Sequence, residues 1–307
     1  MSRSIEIVEV GPRDGLQNER AVLPPQDRVE FVRRLEACGA RRIEAVSFVH
    51  PGRVPQMAGA EEVMAALPRE EGRSRIGLVL NLKGWDRAVA AGVDEVNVSV
   101  AATDGFGLKN QGMGVADQLD MLADIAERAH NIRGAGEGGP MLSATISVVW
   151  GCPFDGEVSQ DQVVAIVRDI AALGYREIAL ADTIGVADPW TVRARVEAAK
   201  AAAPDARLRL HFHDTRNTGL ANAFAGIEAG VDILDASCGG IGGCPFAPNA
   251  TGNVGTEDLV YMLERAGFDT GYDLDGLIDT AHWIAGKIGH PPTSAVSRAG
   301  GFPKPLA

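Results

Sequence analysis

Two histidines lie two positions apart, at His211 and His213, in the segment LRLHFHD. Side chains two apart on a β-strand point to the same face, so both imidazoles would share one side of a sheet. Asp14 adds a carboxylate from a distant part of the chain, and Asn253 adds an amide oxygen. Nitrogen and oxygen donors of this kind suit a divalent ion such as Mg²⁺ or Mn²⁺. We therefore predict a metal site formed by these four side chains, rather than two histidines that are merely hydrogen-bonded.

Two further residues could act on charge and protons beside such a site. Arg13 precedes Asp14 in the turn GPRDG, where Gly11 and Gly15 free the backbone to aim both side chains at one point. A guanidinium over a metal site is suited to stabilise a developing oxyanion. Cys244 lies in GGIGGCPFAPNATGN, which is too rich in glycine to be a core element. We predict a functional thiol there.

Short β-branched runs alternate with longer helical patterns, and these elements must position the polar residues. We predict strands at 4–10, 42–49, 76–80, 95–101, 142–149, 177–180, 208–213 and 233–237. We predict the helices that follow them at 25–37, 60–67, 85–91, 115–130, 161–173, 189–203, 219–229 and 256–265. Eight such units in about 270 residues indicate an α/β fold of the (β/α)₈ TIM-barrel type, typically about 250 residues long. A doubly wound sheet fits less well, because GPRDG after the first strand is not the GxGxxG turn of that fold.

The remaining residues predict an extension of the barrel. We assign 1–270 to a catalytic barrel and 271–307 to a C-terminal helix and tail that pack on it. The helix is predicted at 272–287 and is followed by a segment rich in proline and glycine. The stretch RGAGEGG (133–139) predicts a solvent loop at the end of the barrel that supports stability.

The polar residues collect at the carboxyl ends of the predicted strands, where the active sites of such barrels lie. In strand order they are Arg13 and Asp14 after the first, Glu44 within the second, Asp182 after the sixth, His211 and His213 at the end of the seventh, and Cys244 and Asn253 after the eighth. We therefore expect them to converge on one rim.

Composition excludes some classes of function. Asp and Glu number 41 against 29 Lys and Arg, for a net charge of -12, which argues against a nucleic-acid partner. A local cationic pocket can still bind an anionic substrate. No apolar run approaches the roughly 20 residues of a membrane helix, and the polar start MSRSIEIVEV is unlike a signal peptide. The four cysteines show no CxxC spacing, so we expect reduced thiols in the cytoplasm.

Several segments resemble the 3-hydroxy-3-methylglutaryl-CoA lyase family of metal-dependent barrel enzymes. They are VEVGPRDGLQNE (8–19), RIEAVSFVHPGRVPQMA, NLKGWDRAVAAG, GCPFDGEVS, DTIGVADP, FHDTRNTGLANA and GGIGGCPFAPNATGNVGTEDLVYMLE. They extend over nearly the whole predicted barrel. The combination of GPRDGLQNE, HxHDT and GGxGGCPxAxxAxGN is specific to the lyase branch, because the related synthases usually lack the cysteine loop.

The resemblance implies roles for particular positions. Metal ligands are implied at Asp14, His211, His213 and Asn253, an essential arginine at Arg13, a catalytic loop cysteine at Cys244 and a supporting acid at Glu44. Within the matching segments we also expect substrate contacts at Gln17, Ser47 and Asp182 and acyl-CoA contacts at Asn81 and Lys83. The implied partner is an acyl-CoA, and a homo-oligomer (dimer or tetramer) is expected.

The implied reaction is metal-dependent cleavage of 3-hydroxy-3-methylglutaryl-CoA to acetyl-CoA and acetoacetate, with Asp14 or His211 as the base. The sequence departs from the family at AATDGFGLKNQGMG (101–114), at Ala179 on the sixth strand, and at Ala295, where a lysine is expected. These changes leave open a related substrate, such as citramalyl-CoA, which would give acetyl-CoA and pyruvate. A Claisen-type synthase is less consistent, because the extra C-terminal regulatory domain of those enzymes is not found.

Overall fold

The computed structural model describes residues 3–135, 138–243 and 252–303. Eight parallel strands form a closed barrel in which each strand pairs with the next and the last pairs with the first. The strands are β1 Glu6–Glu9, β2 Arg42–Ser47, β3 Ser74–Val79, β4 Glu95–Ala101, β5 Met141–Ser147, β6 Glu177–Asp182, β7 Arg207–Phe212 and β8 Ile233–Ala236. The predicted (β/α)₈ barrel is therefore confirmed.

Helices alternate with the strands and surround the barrel. They are α1 Pro25–Ala37, α2 Ala60–Ala65, α3 Leu82–Ala90, α4 Asp104–Asn110, α5 Val115–Gly134, α6 Gln160–Ala172, α7 Pro189–Ala202, α8 Gly219–Glu228, α9 Thr256–Arg265, α10 Leu274–Ile288 and α11 Ala295–Ala299. Most predicted boundaries agree within three residues, and α1, β4 and α9 agree at both ends. The short helices α4 and α11 and the π-helical turn Gly11–Gly15 were not predicted, because a segment of five to seven residues is too short to show a helical period.

The amphipathic pattern of α1 explains why it forms where it does. The helix begins with Pro25, whose fixed φ suits the first turn. Val29, Val32 and Leu35 recur at helical spacing and are buried. After the helix, Gly39 adopts a φ of 103°, a left-handed conformation that favours glycine at a helix end.

The end of the barrel at the amino termini of the strands is closed by buried charges. The Arg42 guanidinium contacts Glu95 Oε1 and Glu177 Oε1, each at 2.7 Å. It also donates to Glu6 Oε1 at 2.9 Å. These side chains from four strands bind one another, so this end of the barrel contributes stability.

Helix α10 packs against α1. The Phe31 and Trp283 rings lie 6.1 Å apart between centroids, and Lys287 Nζ contacts Asp27 Oδ1 at 2.9 Å. The domain boundary at 270 stays a prediction. The predicted loop at 133–139 is wrong at its start, because α5 continues to Gly134. Across the described residues, no helix has both the length and the apolar character needed to cross a membrane.

Candidate metal centre and active site

The carboxyl ends of the strands surround a cavity of about 690 Å³. Both histidines of the HxH pair line it, with their ring centroids 5.2 Å apart. Phe212 between them is buried and packs on Trp150 at 5.5 Å between centroids. The alternation of β7 therefore turns both imidazoles inward and the phenyl ring outward. The two histidines share one face, as the spacing predicts.

Three candidate metal ligands meet in this cavity. Asp14 Oδ2 lies 3.9 Å from His211 Nε2 and 4.0 Å from His213 Nε2. One donor atom from each of the three residues lies within 4.8 Å of the others. This spacing matches three ligands arranged around one cation, because each ligand atom would lie about 2.0–2.2 Å from a transition metal or Mg²⁺.

Asn253 completes the predicted set from the loop after β8. Its Nδ2 donates to Asp14 Oδ2 at 2.9 Å and to the Ile241 carbonyl oxygen at 3.1 Å. Asn253 Oδ1 and His213 Nδ1 are buried without a hydrogen-bond partner in the described part of the chain. Buried polar atoms are rarely left unpaired. A half-turn of the Asn253 amide would bring its unpaired oxygen beside Asp14. This oxygen therefore fits the role of an additional metal ligand.

Burial and neighbouring charges shift the pKa values of Asp14 and His213. Burial raises the pKa of Asp14, but the charges of Arg13, His211 and His213 outweigh it and lower that pKa to about 2. Burial and the neighbouring His211 lower the pKa of His213 to about 4. An ionised carboxylate and a neutral imidazole are the forms that bind metal.

Arg13 is held between two carboxylates. Its Nε donates to Glu44 Oε2 at 2.7 Å, and its Nη1 donates to Asp14 Oδ1 at 2.7 Å. Burial lowers the pKa of Arg13, but the charges of Glu44 and Asp14 outweigh it and raise that pKa. The guanidinium is therefore a fixed, permanent positive charge next to the candidate ligands.

The GPRDG turn requires glycine for a different reason from the predicted one, which was freedom of the backbone. Neither Gly11 nor Gly15 has a positive φ among the described residues. Instead, a Cβ on Gly15 would lie 2.7 Å from Ile241 Cγ1 and 2.9 Å from Ser237 Oγ. The turn packs so closely under the loop after β8 that it leaves no room for a side chain at Gly15.

Some predicted site residues do not reach the cavity. The Asp182 carboxylate is buried and accepts the backbone N–H groups of Val186 and Ala187, each at 2.9 Å. Ser47 is buried, and its Oγ accepts the Val49 N–H at 3.3 Å. Both side chains order their own loops, and neither is among the residues that line the cavity. Gln17 does line it.

The two predicted acyl-CoA contacts divide between two surfaces. Asn81 lines the cavity, but its Oδ1 also accepts the Gly84 N–H at 2.8 Å and caps α3. Lys83 lines only an adjoining groove, which Asn81 also lines and which contains Asp117, Asp120 and Asp124. Cys244, the predicted thiol, lies outside the described residues.

Asp235 and Asn97 are two polar residues of the barrel interior that sequence reasoning missed. Asp235 Oδ2 lies 3.1 Å from His211 Nδ1. Asn97 donates from Nδ2 to Glu44 Oε1 at 3.1 Å and thereby supports the partner of Arg13. Both line the cavity. Polar residues at alternate positions of β4, EVNVSVA, were a signal that could have revealed the inward face.

A closed parallel barrel with polar side chains gathered at the carboxyl ends of its strands defines the class of TIM-barrel enzymes. The family model described as HMGL-like matches residues 4–284. The (R)-citramalyl-CoA lyase of Chloroflexus aurantiacus is 42% identical over 307 residues, with 97% of this chain and 95% of that protein covered. The 3-hydroxy-3-isohexenylglutaryl-CoA/hydroxy-methylglutaryl-CoA lyase of Pseudomonas aeruginosa is 39% identical, with 97% and 98% covered.

Solved structures agree with these relatives. A hydroxymethylglutaryl-CoA lyase from Pseudomonas aeruginosa matches with a TM-score of 0.91 at 38% identity, covering 97% of this chain and 98% of that one. An HMG-CoA lyase from Acinetobacter baumannii, in complex with coenzyme A and 3-methylmalate, matches with a TM-score of 0.91 at 37% identity, covering 98% of both chains. This chain belongs to the HMGL-like family and is a carbon–carbon lyase.

Proposed function

We propose that the protein cleaves 3-hydroxy-3-methylglutaryl-CoA, or a closely related 3-hydroxyacyl-CoA, to acetyl-CoA and a keto acid. From the named substrate the keto acid is acetoacetate. One observation carries the proposal: Asp14, His211 and His213 meet within 4.8 Å in a cavity that also contains the Arg13 guanidinium. The relatives named above act on substrates of this kind.

The donors present fit a divalent cation such as Mg²⁺ or Mn²⁺. Asp14, His211 and His213 would hold it, and Asn253 would add its amide oxygen. When bound, the cation supplies a Lewis acid that lowers the pKa of the substrate hydroxyl and fixes its orientation. Once the hydroxyl proton is removed, the oxygen electron pair forms the carbonyl bond at C3 and the C2–C3 bond breaks. The electron pair of that bond goes to C2, which leaves as a thioester enolate.

Arg13 would stabilise the negative charge that develops on the thioester oxygen. Its two carboxylate partners fix the guanidinium before the reaction, and a preorganised donor of this type is worth roughly 3–4 kcal/mol. Glu44 therefore acts through Arg13 as a positioning residue.

The base remains one of two residues. Asp14 has a pKa of about 2 and binds a proton weakly near neutrality. Burial lowers the pKa of His211, but the hydrogen bond to Asp235 and the charge of Asp14 outweigh burial and raise that pKa. Cys244 is proposed to protonate the enolate carbon and give acetyl-CoA.

The polar cavity wall favours citramalyl-CoA as the second candidate substrate. Asn97, Ser99, Thr145 and Ser147 line the side formed by β4 and β5. Thr145 donates to Asn97 Oδ1 at 3.1 Å, and Ser99 and Ser147 lie 3.3 Å apart between their Oγ atoms. Such a wall can bind a carboxylate attached directly to the hydroxyl-bearing carbon. The 42% identity to a citramalyl-CoA lyase supports the same alternative.

The decisive experiment combines metal removal with product analysis. Protein treated with a chelator should lose cleavage of both thioesters, and Mg²⁺ or Mn²⁺ should restore it. Acetoacetate formed from 3-hydroxy-3-methylglutaryl-CoA and pyruvate formed from citramalyl-CoA are measured separately. The thioester cleaved with the higher kcat/KM is then the preferred substrate. His213→Ala should abolish the restored activity, whereas the exposed control His130→Ala should retain it. Full activity without metal, or no cleavage of any 3-hydroxyacyl-CoA, would contradict the proposal.

A further inference from the structure

We propose that Arg53, together with His50, forms the subsite that binds a phosphate of the acyl-CoA at the mouth of the cavity. The inference rests on the proposed function, because it assigns the place where the anionic part of that substrate leaves the barrel. The sequence instead predicts acyl-CoA contacts at Asn81 and Lys83.

The charges along the cavity wall lead to Arg53. Among the described residues that line the cavity, Arg13 and Arg53 are the two that carry a Lys or Arg side chain. Arg13 is partly buried and paired with Asp14 and Glu44, so its charge is already compensated. Arg53 is exposed, and within residues 3–135, 138–243 and 252–303 its side chain has no ion pair or hydrogen bond. In a chain of net charge -12, this uncompensated cation is where a polyanion would bind.

The turn after β2 places a second donor beside it. His50 Nδ1 accepts the Gly52 N–H at 3.1 Å, so the neutral ring carries its proton on Nε2 and can donate it to a ligand. The Arg53 N–H is itself bonded to the His50 carbonyl oxygen at 2.8 Å. These contacts fix the short turn that carries both residues, and both residues line the cavity.

The alternative exit is electrostatically unfavourable. The groove beside α3 and α5 contains Lys83 but also Asp117, Asp120 and Asp124. Three carboxylates around one ammonium group give that groove a net negative character, which repels a phosphate. Phosphate binding therefore favours the turn at 50–53 over the groove at Lys83.

The experiment compares coenzyme A with pantetheine, which lacks the nucleotide phosphates. Affinities for free coenzyme A and free pantetheine are measured by calorimetry on wild type, Arg53→Gln and the control Lys83→Gln. The same variants are assayed with the CoA thioester and the pantetheine thioester of one acyl group. We expect Arg53→Gln to raise Kd and KM for the CoA forms about 5- to 10-fold, with kcat and both pantetheine values unchanged. Lys83→Gln should change none of these values.

Three results would overturn the inference: unchanged Kd for coenzyme A in Arg53→Gln, an equal loss with pantetheine, or the coenzyme A defect appearing in Lys83→Gln instead. Because the calorimetric comparison uses free coenzyme A, it stands apart from turnover. A protein that binds coenzyme A through Arg53 but cleaves no 3-hydroxyacyl thioester would contradict the proposed function and leave this subsite in place.

Discussion

Asp235 Oδ2 lies 3.1 Å from His211 Nδ1, on the side of the imidazole away from Asp14. A carboxylate at Nδ1 holds the proton there and leaves Nε2 free to bind a cation. Asp235 is itself fixed by Arg209, whose Nε lies 3.4 Å from Asp235 Oδ1. The candidate metal centre therefore includes, behind one of its proposed ligands, a residue of β8 that does not itself belong to the ligand set.

Replacing Asp235 should weaken metal binding. We expect Asp235→Asn to raise the Kd for Mn²⁺ about 10- to 100-fold, the usual effect of losing a carboxylate behind a histidine ligand. The measurement is titration of Mn²⁺ followed by calorimetry or electron paramagnetic resonance. Asp182→Asn is the matched control, because its carboxylate is also buried at this rim but binds backbone N–H groups. An unchanged Kd in Asp235→Asn would contradict the positioning role.

Removing the guanidinium should affect turnover and not metal binding. We expect Arg13→Met to lower kcat about 100- to 1,000-fold, because a preorganised donor to the developing oxyanion is lost. The Kd for Mn²⁺ should stay within a few-fold of wild type. Steady-state kinetics and metal titration on the same preparation check both parts. Wild-type kcat would exclude the proposed charge stabilisation.

The buried acid Glu9 should make stability depend on pH. Burial raises the pKa of Glu9 to about 8, although Thr256 and the backbone N–H groups of Gly11 and Cys238 lower it. The native state therefore keeps this proton where the unfolded chain, with an ordinary pKa near 4.5, has lost it. The resulting stabilisation is fully present below about pH 4.5 and is lost as the pH rises through about 8.

The test follows the free energy of unfolding in urea at pH 5, 6, 7 and 8. Glu9→Gln cannot ionise, so its stability should fall less over this range than that of wild type, by about 2–4 kcal/mol. Part of the slope should remain, since burial also raises the pKa of the neighbouring Glu257 to about 7. The half-exposed control Glu30→Gln should keep the wild-type slope. Identical slopes for Glu9→Gln and wild type would show that Glu9 titrates normally.

Breaking the charge cluster at the other end of the barrel should reduce stability and not chemistry. Arg42→Met leaves Glu95 and Glu177 buried without their shared partner. Removing one side of a buried ion pair costs about 3–5 kcal/mol, which urea unfolding at pH 7 would measure. Arg207→Met is the control, since Arg207 is half exposed and contacts Glu6 at the same end. Loss of kcat in folded Arg42→Met, with unchanged stability, would contradict this assignment.

The positions of most elements could be read from the chain. The β-branched run at β4 and the apolar spacing in α1 fix these elements locally, and the alternation of strand and helix leaves few ways to bury them other than a barrel. The HxH spacing predicted that both imidazoles share one face, and the strand ends predicted which rim they share with Asp14.

The partners of these residues could not be read in this way. Asp235 is 24 positions from His211, and Glu44 is 31 positions from Arg13, so that each pair comes into contact only when β7 pairs with β8 and β1 pairs with β2. The sequence also did not reveal the partners of Asp182 and Ser47, which were predicted to contact substrate. Both residues lie at strand ends, but their side chains accept hydrogen bonds from nearby backbone N–H groups.

The sequence by itself determined the fold class, the shared face of His211 and His213 on β7 and the types of donor available, since periodicity and residue chemistry are local properties. Only the tertiary structure decided that Asp235 lies behind His211, that Gly15 is needed for close packing, and that Arg53 faces the cavity while Lys83 faces a groove lined by aspartates. Each of these depends on which strands and loops become neighbours when the barrel closes, and spacing along the chain carries no information about that.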